Sequence, residues 1–303
     1  MRNTVDIGMT KLNHVTISNA YGMPRWVNEI NQVRYGALVL EGASPTITGI
    51  RFTNINTTSL LVLDLAAPTI LGGEFVTGND ATELVGSAIQ SYGAGSALNP
   101  LTINYAIFSG TSNGCAQEDD GRHVLWGEKS FVAITGAVVG SAGASAGDYG
   151  MRFDDSAGFV RNSYFHTDCN GVDLNDKRVV GNTAYKMLVE NNQITTEERS
   201  PLTAFNHAWV AFNNNIIEGA SDGSGIQISS SEVEVNGGTI GPIGGWNGIW
   251  SIGESDVSVI GTTIQGTAKE AIIAGEYHYG DAGWTGIPTP QKNRMYMKNV
   301  IIS

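Results

Sequence analysis

The stretch Ala43-Ser44-Pro45-Thr46-Ile47-Thr48-Gly49-Ile50-Arg51-Phe52 returns 23 residues later as Ala66-Ala67-Pro68-Thr69-Ile70-Leu71-Gly72-Gly73-Glu74-Phe75. A unit this short cannot bury its own apolar face, so a chain that repeats it must stack the copies. The underlying pattern is apolar, any, Asn or Gly, any, any, apolar. It recurs with the small residue at Asn19, Gly49, Gly72, Asn104, Gly136, Asn162, Asn191, Asn214, Gly237, Gly261 and Asn299. The spacing never falls below 23 and rises to 38, as expected when loops are inserted into a solenoid that keeps its strand register. Asn and Gly accept a left-handed backbone cheaply, so each recurrence reads as the bend of a strand-bend-strand unit. Asn side chains stacked at about 4.8 Å can also hydrogen-bond along the axis.

A further strand precedes each bend. Examples are Gly150-Met151-Arg152-Phe153-Asp154-Asp155, Gly171-Val172-Asp173-Leu174-Asn175-Asp176 and Gly225-Ile226-Gln227-Ile228-Ser229-Ser230. Its period is two, with one set of positions apolar and pointing in and the other mixed and pointing out. These coils resemble those of the right-handed parallel β-helix of the pectin-lyase-like superfamily, which includes polysaccharide lyases, hydrolases, epimerases and phage tailspikes. The resemblance covers nearly the whole chain and implies an all-β fold, one solenoid domain over 1–303 of about eleven coils. It does not fix an activity, because that superfamily hosts enzymes and non-enzymes alike. Long loops are expected near 93–99, 110–122, 140–149 and 276–293.

The chain carries 17 Lys and Arg against 29 Asp and Glu, a net charge of −12, which argues against nucleic acid or an anionic membrane surface as partner. No run of 18 apolar residues is present, so membrane insertion through a helix is not expected. Cys115 and Cys169 have no metal-site spacing and leave the redox compartment open. The terminal coils read as uncapped unless 24–33 forms a helix. An uncapped coil fits a segment of a longer chain, a homotrimer or an end-to-end assembly.

Outward positions of neighbouring coils align into columns. One is expected to hold Gln90, Leu125, Arg152, Asp173, Ala204, Gln227 and Trp250; a second, Tyr92, Gly127, Asp154, Asn175, Asn206, Ser229 and Ile252. Just past the strands come Asp155, Asp176 and His207. Asp154 and Asp173 lie on adjacent coils, two positions apart, so their Cβ atoms should be roughly 8 Å apart. That separation suits the acid and base of an inverting glycosidase. Asp155 and Asp176 are expected to stack and to share a proton or a cation. His207 is the accompanying candidate base. Elimination would instead use the four aspartates around Ca²⁺, with Arg152, Lys177 or Arg178 as the positive group. No other cofactor or metal motif is visible.

The polygalacturonase signature is not matched, because Asp154-Asp155 precedes His166-Thr167-Asp168 and no Arg-x-Lys follows His207. Tyr92 and Trp250 are expected as exposed rings on which sugar faces stack, beside Gln90, Arg152, Asn175, Asn206 and Gln227 as polar contacts. The function expected is therefore a polysaccharide-binding, polysaccharide-cleaving domain, extracellular or on a virion surface. The competing reading is a non-catalytic stalk in which these aspartates are turn residues bonded to their own backbone.

Overall fold

In the computed structural model, residues 11–76, 87–109, 115, 123–140, 149–175, 186–275 and 293–303 are described. Asp176, Lys177 and Arg178 lie outside them, as do most of the loops expected at 110–122, 140–149 and 276–293. Among the described residues every regular element is a strand. The chain winds as a right-handed parallel β-helix, the hand that parallel strand connections almost always take.

Each coil contributes to three stacks of strands. The first contains ten parallel strands, from Gln32–Glu41 through Tyr149–Asp154 and Val172–Asn175 to Ile272–Ala274. The second and third are joined through the bends into one sheet, typified by Ala157–Arg161 and Tyr164–Thr167 of one coil and by Met187–Glu190 and Gln193–Thr196 of the next. Inside runs one continuous apolar core. Phe52, Phe75 and Phe108 stack along it with ring centroids 5.3 and 5.5 Å apart.

The bends are left-handed as expected. Gly49, Gly72, Gly136, Asn162, Asn191, Asn214, Gly237, Gly261 and Asn299 all have φ between 51° and 65°. Two coils depart from the expected register. The bend of the fourth coil is Tyr105 (φ 59°), not Asn104, and its ring lies against Gly136. The bend of the first is His14 (φ 49°), whose imidazole lies against Gly49. Asn19 belongs to a different turn, where it accepts a hydrogen bond from Asn54.

The buried ladder sits one residue beyond the bend rather than at it. Asn162, Asn191 and Asn214 are exposed, whereas Ser163, Asn192 and Asn215 are buried. Ser163 Oγ accepts from Ala137 N (3.1 Å), Asn192 Oδ1 from Ser163 N (2.9 Å), and Asn215 Oδ1 from Asn192 N (3.0 Å) and Nδ2 (3.1 Å). These side chains satisfy backbone donors that turn away from the sheet and would otherwise be buried without partners.

The segment 24–33 is not a helix. Met23–Val27 pairs antiparallel with Gln32–Glu41, Val27 opposite Gln32, and the resulting hairpin closes the edge of the first stack. Pro24 and the β-branched Val27 and Val33 suit an edge strand better than a helix.

Substitutions at two neighbouring asparagines separate the two roles. Asn192→Ala strands the Ser163 N–H and removes the donor to the Val160 carbonyl, and should lower stability by about 2 kcal/mol. Asn191→Gly, exposed at φ 55°, should change it by less than about 0.5 kcal/mol. Urea titrations of both variants test this, and equal losses would contradict the ladder's role.

Candidate functional site

Strand pairing fixes which side chains of the first stack share a column. One column runs Gln90, Trp126, Arg152, Asp173, Thr203, Gln227 and Trp250. The next contains Tyr92, Glu128, Asp154, Asn175 and Phe205. Arg152, Asp173, Asp154 and Asn175 thus take their expected places. Trp126, Glu128, Thr203 and Phe205 replace Leu125, Gly127, Ala204 and Asn206, because Leu125 and Ala204 point into the core.

Asp154 and Arg152 are joined side to side: Arg152 Nε donates to both carboxylate oxygens at 3.0 Å. Trp126 Nε1 donates to Asp154 Oδ2 at 2.9 Å. The Arg152 guanidinium also lies 5.5 Å from the Trp126 ring centre. Burial works against its charge, but Asp154, Asp173 and Glu128 together hold its pKa above the ordinary arginine value. Asp173, directly opposite Arg152, is 8% exposed and accepts a hydrogen bond from Thr203 Oγ1. Burial pushes its carboxyl pKa above the usual aspartate value, and the Asp154 charge adds to this. Arg152 and Thr203 oppose the rise. The two acids therefore sit diagonally across adjacent strands in different environments, one hydrogen-bonded by a guanidinium and an indole, the other pushed toward its neutral form.

Several expected contact residues are not surface groups. Tyr92 is fully buried, packed with Val27, Val39, Leu61 and Leu63 beneath the N-terminal hairpin. Burial pushes its phenol pKa up to about 12, with Arg34 Nε donating to its oxygen at 3.0 Å. Gln90 is 2% exposed. Trp250 is 6% exposed, with the Trp246 ring edge-on against it at 5.5 Å. The alternation of side chains was read correctly for both aromatic residues, but each outward side chain is covered by another segment.

Gln227 accepts from Ser200 Oγ at 3.3 Å, and Asn206 Nδ2 donates to Asn175 Oδ1 at 2.6 Å. Asp155 (φ 49°), Asn206 (φ 54°) and His207 (φ 74°) occupy left-handed turn positions, and His207 is exposed away from the acid pair's column. Their placement matches turn chemistry. Among the described residues, no group of three or more His, Cys, Asp or Glu is arranged to hold a metal ion.

The sequence reading missed His123, at the leading end of the strand that carries Trp126. It is 2% exposed and stacks on Tyr149 with centroids 4.8 Å apart and beside Trp126 at 6.2 Å. Neither ring nitrogen has a hydrogen-bond partner among the described residues. Burial, with a smaller contribution from Arg152, lowers its pKa to about 3. Tyr149 in turn packs on Cys115 and Cys169, which form a disulfide. Nothing in the periodicity singles out His123, since it precedes the regular alternation.

No family model matches the chain, and no curated protein matches it. Among solved structures, the crystal structure of the periplasmic alginate epimerase AlgG matches at 10% identity and TM-score 0.44, covering 89% of this chain and 77% of that one. Two mutants of that enzyme match at 10% and 12% identity with TM-scores of 0.41 and 0.38. At this level the likeness carries no residue-by-residue correspondence.

Because His123 is held neutral in the fold and has a pKa near 6.5 in the unfolded chain, its contribution to stability is present above pH 6.5. It is lost as pH falls from there toward 3, at up to about 1.4 kcal/mol per pH unit. The His123→Phe variant should lose less stability than the native chain between pH 6.5 and 4.5. Urea midpoints across that range measure the difference, and parallel curves would contradict it.

Proposed function

We propose that this chain is a polysaccharide-binding and polysaccharide-cleaving β-helix domain of an extracytoplasmic protein, and that cleavage is hydrolytic. The observation that carries this reading is the unlike pair Asp154 and Asp173 on the outer side of one sheet, Asp154 half-buried and Asp173 buried. Inverting hydrolysis needs one carboxyl that keeps its proton and one that accepts a proton from water, roughly 6.5–9.5 Å apart. Residues displaced by two positions on adjacent strands have Cβ atoms about 7–8 Å apart.

Asp173, buried and pushed toward its neutral form, is the general acid that protonates the departing glycosidic oxygen. Asp154, accepting from Arg152 and Trp126, is the base that takes a proton from the attacking water. Arg152 keeps the two acids from repelling each other. The glycan would lie along the column of Glu128, Asp154, Asn175 and Phe205, which is more open than the column beside it. The buried disulfide supports a compartment that is oxidising, such as the periplasm, the cell exterior or a virion surface.

A stalk is the second reading, favoured by the burial of Gln90, Tyr92 and Trp250 and by the turn conformations of Asp155, Asn206 and His207. Incubation with neutral and uronate polysaccharides, with Ca²⁺ or EDTA, separates the readings. Hydrolysis predicts new reducing ends that persist in EDTA and carry no ultraviolet-absorbing double bond.

Asp154→Asn and Asp173→Asn should each lower the rate at least about 100-fold. Asp173→Asn should leave stability at pH 7 unchanged or raised, because an acid whose pKa is raised by burial is a net cost once ionised. Activity that needs Ca²⁺ and yields unsaturated products would replace hydrolysis by elimination. No turnover of any polysaccharide would leave the stalk.

A further inference from the structure

The face along which the glycan is proposed to lie is closed at one end. The hairpin formed by Met23–Val27 and Gln32–Glu41 does more than close the edge of the first stack, because its turn folds back over the outer face of that stack. Val27 is 1% exposed and, with Ile30, covers Val39, Leu61, Leu63 and Tyr92, the outward side chains of three successive strands. The carboxylate of Glu29 lies against Gly93, where an added Cβ would come within 2.9 Å of Glu29 Oε1. Its carbonyl accepts from Lys129 Nζ at 3.2 Å, in the turn after the fourth strand.

Among the described residues, the hairpin's cover therefore reaches as far as the coil that carries Trp126. There Arg34 projects from the hairpin with its guanidinium 5.9 Å from the Trp126 ring centre and Nε bonded to Tyr92 Oη. Arg34 forms no ion pair with any described carboxylate, whereas Arg152, on the next coil, is paired with Asp154. Asp154 lies two coils beyond Tyr92, the last covered position. At the parallel-strand spacing that is roughly 10 Å of face left uncovered by the described residues, room for a terminal mono- or disaccharide and not for a continuing chain.

Resting on the function proposed above, we infer that the hairpin is an end wall, and that the site takes the end of a glycan chain rather than its middle. Arg34 is the specificity-determining residue that meets the terminal unit, through the N–H groups it does not give to Tyr92. The occupant class is a polysaccharide or oligosaccharide with a free terminus, and each turnover removes one or two sugar units from it.

The test is product size during the first few per cent of conversion of whichever polysaccharide is turned over. Chain-end action gives mono- or disaccharide from the first time points while the polymer's mean length falls slowly. A broad ladder of intermediate lengths from the outset would overturn the end wall and leave hydrolysis at Asp154 and Asp173 standing. If no polysaccharide is turned over, the proposed function falls and the end wall with it.

Two variants sharpen the reading. Arg34→Ala should raise KM for short oligosaccharides about tenfold with a smaller change in kcat, since it removes a charge-assisted contact distant from the acids. Ile30→Ala, which loosens the wall without touching the acids, should shift early products toward longer fragments. A merely structural hairpin would lower stability in both variants and leave product size and KM unmoved.

Discussion

Every coil depends on the one before it for half of its backbone hydrogen bonds, and the coils can keep register only if the chain turns through the same angle at the same place each time. The left-handed residue between the second and third stacks enforces this. Its φ stays between 49° and 65° through the eleven bends among the described residues, whether the residue is Gly, Asn, His or Tyr. Asn takes that conformation at little cost, whereas for His and Tyr it costs roughly 1 kcal/mol. After Asn162, Asn191 and Asn214 the next residue is buried and satisfies a donor of the neighbouring coil. Because the bends superpose, outward side chains also superpose, and a diagonal such as Asp154 and Asp173 becomes a fixed distance. Loops of varied length can then be inserted without disturbing it.

This explains what could be read from the sequence. The bend column was visible wherever the left-handed position is Gly or Asn, and it slipped where His14 and Tyr105 take that place. Their rings lie on the glycines of the next coil, Gly49 and Gly136, so the stack compensates for an unfavoured residue type. The placing of Arg152 opposite Asp173 followed from aligning Gly150 with Gly171. The coils around Trp126 and Thr203 slipped by one, because the residues before these strands offered no such anchor.

Burial was not legible in the same way. Alternation says that Tyr92 and Trp250 point away from the core, but it cannot say that a hairpin 60 residues upstream or the Trp246 turn lies on top of them. The pairing of Cys115 with Cys169 was invisible for the same reason, since sequence spacing says nothing about which turns the coils bring together.

The stability of the solenoid and the chemistry of its first stack pull in opposite directions. Along the bends, the Ser and Asn ladder gives buried backbone donors of each coil an acceptor. Around Trp126 the chain instead keeps an aspartate pushed toward its neutral form, an arginine partly out of water, and a buried histidine with no hydrogen-bond partner on either nitrogen among the described residues. Each is costly, and an apolar residue of similar size would relieve the cost. A stalk selected only for rigidity gains nothing from keeping such groups together on one face. A site that needs one carboxyl biased toward its neutral form beside another bonded by a guanidinium and an indole gains the unlike pair that acid–base catalysis uses. Among the described residues, the concentration of ionisable groups that carry these costs is what sets the first stack apart from the other two.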